Sequence, residues 1–338
     1  MKRFLTASMV ALMLIGASLA QNNDENASNL VLKQKARWED TNGNFINAHG
    51  GGILYYDGIY YWYGENKGGG TSQEPTSRIE RVIMGGVNCY SSRDLVTWKF
   101  EGVVLKPEPD DPKSDLHPSK VIERPKVIYN KTTRKFVMWV HAESADYRKA
   151  CAGVAISDTP TGPFRYLGSF RPNNAMSRDQ TLFVDEDGTA YQLSSSEENQ
   201  TLHVNRLTPD YLQCDGTYSR VLIGKSREAP AVFKYKGKYY LLSSGCTGWA
   251  PNEADLAVAD SLLGEWTMLG NPCTSEGGEK TYLGQSTYVL PLPDGRFIAL
   301  FDEWHPRNLS DSRYFWLPIE INPQTDRITI PWIDEWKP

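Results

Sequence analysis

A repeated pair of hairpins constrains this 338-residue chain more than any other feature. Five stretches share one design, in which a run of β-branched and aromatic residues meets a tight polar turn and then a second such run. They are residues 53–63 around Asp57-Gly58, 127–140 around residues 130–133, 182–193 around Asp187-Gly188, 232–242 around Lys236-Gly237, and 288–301 around Asp294-Gly295. Asp-Gly or Lys-Gly between apolar alternations marks a β-hairpin, because glycine accepts the positive φ of the turn. A weaker hairpin follows each one, over residues 88–104, 153–170, 202–223, 256–269 and 314–332. Two hairpins make a four-stranded sheet, and such sheets repeated radially close into a ring with few exposed edges. The repeat therefore predicts an all-β, five-bladed β-propeller, a single domain over residues 35–338. A β-sandwich is the other home for many short strands, but it leaves the fivefold recurrence unexplained. Long helical architectures are disfavoured, since 28 Gly and 20 Pro punctuate the chain and few stretches keep a helical period for four turns.

The first twenty residues are different in kind. Lys2 and Arg3 precede an apolar run over residues 9–20 that ends on Ser18-Leu19-Ala20. This is the pattern of a secretory signal peptide over residues 1–20, too short to span a bilayer comfortably, with a linker over 21–34; an N-terminal membrane anchor is the alternative. The expected product is an exported monomer, periplasmic or extracellular, with no membrane attachment after cleavage. The full chain carries a formal charge of −5, and cleavage would remove two cations and no anion, which argues against nucleic acid as a partner. Five cysteines without a C-x-x-C pair argue against a zinc site or a dithiol redox motif; export permits one or two disulfides, but they read best as small buried residues. Four N-x-[ST] sequons stand at Asn26, Asn130, Asn199 and Asn308.

Counting back from each turn exposes a register. His49 lies nine residues before Gly58, Glu123 nine before Thr132, Asp179 nine before Gly188 and Glu228 nine before Gly237. Gln285 lies ten before Gly295, and Pro291-Leu292-Pro293 suggests that a bulge absorbs the difference. Pseudo-fivefold symmetry aims these five polar residues at one end of the central channel. Three of them are carboxylates. Crowded carboxylates with no metal-ligand spacing suit acid–base work on a neutral substrate, because like charges keep one of them protonated. Glycosidic bonds need that combination: one acid for the departing oxygen and one group to handle water. Trp62, Tyr63, Trp249 and Trp304, near strand ends, are candidate platforms for sugar rings; for Trp62 and Tyr63, core packing is an equal reading.

The chain resembles glycoside hydrolase family 43, and within it the exo-β-1,3-galactanase (galactan 1,3-β-galactosidase) branch. The resemblance is carried by His49-Gly50-Gly51-Gly52-Ile53-Leu54, Tyr61-Trp62-Tyr63-Gly64-Glu65, Glu123-Arg124-Pro125-Lys126-Val127, Ser177-Arg178-Asp179-Gln180, Arg227-Glu228-Ala229-Pro230 and Gly284-Gln285-Ser286-Thr287. These stretches fall in every blade. The resemblance implies that Glu228 is the proton donor, that Asp179 tunes and orients it, and that Gln285 handles the water. It also implies that Glu123 holds the sugar, joined by Glu65, Tyr147 and Thr247. His49, Trp249 and Trp304 complete the expected binding residues. The wider family starts blade one with an Asp base, and here His49 stands in that region, so Glu123 is a rival for the base. The wider family often holds a channel cation through a blade-five His. Gln285 stands at that place, so no metal or other cofactor is expected. The implied substrate is β-1,3-linked galactan or an arabinogalactan oligosaccharide, cut with inversion from the non-reducing end. An arabinofuranosidase, a β-xylosidase and a non-catalytic carbohydrate-binding propeller are the alternatives. Other motifs fail: His49-Gly50-Gly51-Gly52 has no G-x-S-x-G partner, Gly224-Lys225-Ser226 lacks the first P-loop glycine, and no H-E-x-x-H exists.

Overall fold

The computed structural model describes residues 31–73 and 80–338. The expected signal peptide and most of the expected linker lie outside these residues. Five antiparallel four-stranded sheets make up the body. Blade one is His49–Tyr56, Ile59–Glu65, Val87–Ser92 and Lys99–Leu105; blade two is Val121–Asn130, Lys135–Glu143, Cys151–Ser157 and Arg165–Phe170. Blade three is Gln180–Val184, Ala190–Ser196, Thr201–Leu207 and Cys214–Val221; blade four is Arg227–Tyr235, Lys238–Gly245, Asp255–Ala259 and Thr267–Gly270. Blade five is Gln285–Pro291, Phe297–Glu303, Arg313–Ile321 and Ile328–Thr329. Within each blade the strands follow one another as a meander, and the first strand of each packs against that of the next, blade five returning to blade one. The molecule is the five-bladed propeller that the hairpin repeat predicts.

Aromatic residues fill the wedges between blades. At the junction of blades five and one, Trp38, Trp62, Tyr314 and Trp316 cluster, with Trp316 meeting Trp62 and Trp38 edge to face at ring-centroid distances of 4.8 Å and 4.9 Å. Trp62 belongs to this core, and Tyr63 to the wedge between blades one and two, rather than to a sugar platform: both are buried, and the Tyr63 hydroxyl donates to the Pro160 carbonyl. Closure is completed by the two ends of the described chain, since Leu32–Lys33 pairs with Glu335–Trp336. Residues 32–34 of the expected linker are thus part of the folded body, with Leu32 buried and the Gln34 side chain accepting the Trp316 N–H. All five thiols are free; Cys89, Cys151 and Cys273 are buried, whereas Cys246 is exposed. Among the described residues no helix is long and apolar enough to cross a membrane.

Candidate active site

The register read from sequence survives in space. His49 and Gln285 open their strands, Glu123 and Glu228 are the third and second residues of theirs, and Asp179 immediately precedes Gln180. Opposite them on the second strands stand Glu65, Asp302, His141 and Ser244, while Ser195 faces Asp179. In four blades the pairing slips just beyond the polar residue: after His49, Glu123, Glu228 and Ser286. Such a bulge re-aims a side chain. Three of the slips place the next residue in the left-handed region, at Gly50 (φ 59°), Arg124 (φ 52°) and Ala229 (φ 52°). In blade five the slip lies between Ser286 and Tyr288, not at Pro291–Pro293, and the additional residues sit in the loop between Pro291 and Phe297. The proline pair marks a longer turn.

The bulges are stitched across blade boundaries. Glu65 Oε1 of blade one accepts the Arg124 N–H of blade two at 3.0 Å. Asp179 Oδ2 of blade three accepts the Ala229 N–H of blade four at 3.1 Å, and Asp302 Oδ2 of blade five accepts the Gly50 N–H of blade one at 2.9 Å. Each carboxylate satisfies a backbone donor that the bulge has removed from the ladder. Gly50 has to be glycine, because its φ is positive and a Cβ there would run into the Glu65 carboxylate.

These residues surround one cavity of about 320 Å³, within the size range of small-ligand sites. Its walls include Glu65, Glu123, Tyr147, Asp179, Glu228, Trp249, Gln285 and Trp304, all sequence candidates. His49 and Thr247 are not among the lining residues. The His49 ring is buried behind the wall, stacked on Tyr314 at 4.8 Å and 5.8 Å from the Trp304 ring, and its Nδ1 lies 3.3 Å from Asp302. Burial lowers its basicity against the pull of Asp302. Thr247 caps its own turn by donating to the Ala250 carbonyl at 2.6 Å, while its neighbours Gly248 and Trp249 reach the cavity. Arg124, His141, Arg178 and Asn199 also line it and were missed as functional. In sequence Arg124 and Arg178 merely adjoin Glu123 and Asp179, His141 is an isolated histidine in an apolar strand, and Asn199 shows only as a sequon.

Gln285 ties the site together. Its Oε1 accepts from Arg124 Nη2 at 2.5 Å and Trp304 Nε1 at 2.9 Å, and its Nε2 donates to Glu228 Oε1 at 3.0 Å and Ser244 Oγ at 2.9 Å. All four hydrogen-bonding positions of the amide are used. Arg124 reaches on to Asp179 Oδ2 at 2.8 Å, and burial opposes but Asp179 reinforces its positive charge. Glu228 is the outlier among the acids. Burial, then the charge of Asp179, pushes its carboxyl up to about 8, against the opposing pull of Arg124. A carboxyl raised this far keeps its proton at neutral pH, the property a general acid needs.

Glu123 has the opposite character. Burial would raise it, but His141 at 3.2 Å, with Lys67 and the Tyr147 hydroxyl at 2.8 Å, holds it down at about 2. Burial would lower His141 in turn, yet it lies between Glu123 and Glu143 and rises to about 9. Burial raises Glu65, against the opposing charge of Lys67, whose Nζ lies 2.6 Å from it. The donor atoms of Glu123, His141 and Asp179 lie within 4.8 Å of one another. These residues do not fit a cation: Asp179 is engaged by the Arg124 guanidinium, whose charge would repel one, and the Gln285 oxygen is taken by two donors. Trp304 is a wall rather than an open platform, with Lys67 Nζ 5.3 Å and Arg124 Cζ 5.9 Å from its ring.

One acid kept neutral, a second carboxylate beside it and an amide touching the first, in a pocket at the mouth of a propeller, define a glycosidase of the acid–base type. A family model for glycosyl hydrolases family 43 matches residues 52–287, and the chain belongs to that family. Among solved structures it is similar to a family 43 β-1,3-galactosidase determined with galactodeoxynojirimycin, at 42% identity over 90% of this chain and 100% of that one, TM-score 0.85. It is also similar to the exo-β-1,3-galactanase of Phanerochaete chrysosporium determined with β-1,3-galactotriose, at 36% identity over 92% of this chain and 68% of that one, TM-score 0.82. A third is the putative exo-β-1,3-galactanase of Bifidobacterium bifidum s17, at 31% identity over 89% and 97% of the two chains, TM-score 0.76. No curated protein matches the chain.

Proposed function

We propose that this protein is an exported exo-β-1,3-galactanase that removes galactose from the non-reducing end of β-1,3-galactan, such as an arabinogalactan backbone, with inversion. The observation that carries the reading is Glu228, a carboxyl raised to about 8 and held between Asp179 and Gln285 in a cavity of single-ligand size. The relatives determined with galactodeoxynojirimycin and β-1,3-galactotriose point to galactose as the residue it accepts. The N-terminal charge and apolar pattern supports export.

On this reading Glu228 protonates the departing glycosidic oxygen. Burial and then Asp179 keep it neutral, and Asp179 also holds Arg124 against the pocket wall. Glu123 is ionised but committed to His141 and the Tyr147 hydroxyl, which suits holding a sugar hydroxyl better than removing a proton from water. Gln285 acts as an orienter. A tautomer with the proton on Oε1 would face Arg124 and Trp304, which can only donate, so the amide form is favoured.

The test is galactose release from β-1,3-galactotriose, set against hydrolysis of an aryl arabinofuranoside, with the product anomer followed by NMR. Arabinofuranoside turnover without galactose release would overturn the substrate, and a retained anomer would overturn inversion. Near-normal turnover in Glu123→Gln removes Glu123 as the base; near-normal turnover in Gln285→Ala removes Gln285 from handling the water.

A further inference from the structure

The turn between the second and third strands of blade three has an uncommon backbone. Glu197, Glu198 and Asn199 follow one another at φ 52°, 55° and 63°, three left-handed residues without a glycine. Residues with a Cβ avoid this region, because Cβ crowds the following carbonyl, and a run of them persists only where the surroundings over-determine it. Here each side chain is tied separately. Glu197 Oε1 accepts from Arg220 Nε at 2.5 Å and from His203 Nε2 at 2.9 Å, and Oε2 accepts from Arg220 Nη2 at 2.7 Å. Glu198 Oε2 pairs with Arg178 Nη2 at 2.8 Å. Asn199 points inward, and its Nδ2 donates to Glu228 Oε2 at 3.2 Å.

We infer that this turn is a clamp on the proton donor: the forked Arg220–Glu197 pair, backed by His203, winds the backbone so that the Asn199 amide meets the Glu228 carboxyl. Glu197 and Arg220 are then positioning residues for hydrolysis, although neither lines the cavity. The inference rests on Glu228 being the proton donor. Glu228 consequently has both oxygens engaged, Oε1 by Gln285 from blade five and Oε2 by Asn199 from blade three.

The clamp predicts a sign. An N–H donor favours the ionised carboxylate, so releasing Asn199 makes Glu228 harder to ionise and moves the alkaline limb of activity upward. The other groups facing Glu228 stay in place: Asp179 raises it, while Arg124, Cys246 and Gln285 lower it, and Arg227 adjoins it in its own strand. Arg220 and Glu197 are 47% and 34% exposed, so their pair contributes little to global stability and its removal leaves the fold intact.

The experiment compares wild type, Arg220→Met, Asn199→Ala and the double variant by kcat, KM and the pH profile of galactose release from β-1,3-galactotriose. Glu197→Gln is carried as a second break of the pair, and melting temperature as a folding control. The single breaks are expected to lower kcat roughly three- to tenfold, the worth of one modest hydrogen bond, and to move the alkaline limb upward. The double variant should match Asn199→Ala. Wild-type kcat and pH limb in both Arg220→Met and Glu197→Gln overturn the clamp. So does additivity in the double variant, which a long-range effect of the lost Arg220 charge would produce. Loss of turnover in Glu228→Gln tests the donor assignment separately, so a wild-type-like Arg220→Met beside an inactive Glu228→Gln refutes the clamp alone.

Discussion

Replacing Asp179 by Asn tests how the proton donor is kept neutral. Glu228 stands at about 8 against an ordinary 4.5, a preference for the neutral form of roughly 5 kcal/mol. Burial is the first cause and the Asp179 charge the second, with Arg124 opposing. Asp179→Asn deletes the repelling charge. It also leaves the Arg124 guanidinium, now 2.8 Å from Asp179 Oδ2, without that anion, so its pull on Glu228 grows. Both changes lower Glu228. A like charge a few ångströms away is worth about 2–3 kcal/mol at an effective dielectric near 20, or roughly 1.5–2 pH units. The alkaline limb should therefore fall from about 8 toward about 6, taking the donor at pH 7 from about nine-tenths protonated to about one-tenth. Galactose release from β-1,3-galactotriose between pH 4 and 9 reads this directly. At pH 7 the variant should lose about tenfold in kcat/KM beyond whatever it loses at pH 5. An alkaline limb that stays near 8 or climbs would refute the electrostatic account.

The same raised carboxyl has a consequence for stability. Because the folded state holds the Glu228 proton more tightly than the unfolded chain, the fold is disfavoured as pH rises from about 4.5 through about 8. Glu228→Gln should thus melt above wild type at pH 9, by about 2–4 °C for each kcal/mol recovered, and close to it at pH 4; equal melting at pH 9 would contradict the shift. Gly50→Ala should cost about 1–2 kcal/mol for the left-handed backbone alone, plus the clash with Glu65, and lower activity with it; an unchanged urea midpoint would be inconsistent with that geometry. Trp62→Ala removes a ring that is 2% exposed at the closure of blades five and one, and should cost about 3–5 kcal/mol in urea unfolding. A loss below about 1 kcal/mol would show that the closure does not depend on this cluster.

The fold was legible because its signals are local. Asp57-Gly58, Asp187-Gly188 and Asp294-Gly295 fix hairpins within a few residues of chain, and alternation does the rest. The positions of Glu123, Asp179, Glu228 and Gln285 were legible for the same reason, since each sits at a set distance from its turn. What surrounds them was not. His141 reaches Glu123 from the opposite strand, and its charge depends on Glu143. Arg124, Ala229 and Asn199 adopt left-handed backbone that glycine would have announced and that these residues conceal. His49 occupies the right register but is drawn behind the wall by Asp302 and Tyr314, contacts made across the closing junction of the ring.

Glu65, Asp179 and Asp302 each reach from one blade to a backbone amide of the next, and two of them also line the pocket. Assembly and chemistry therefore share the same side chains. A fragment holding three or four blades would have its acids but not the neighbours that set their protonation, so competence for hydrolysis should appear only with the complete ring. Moving the chain ends to another inter-blade loop, by contrast, keeps every one of these links, which makes circular permutation a mild perturbation and truncation a fatal one.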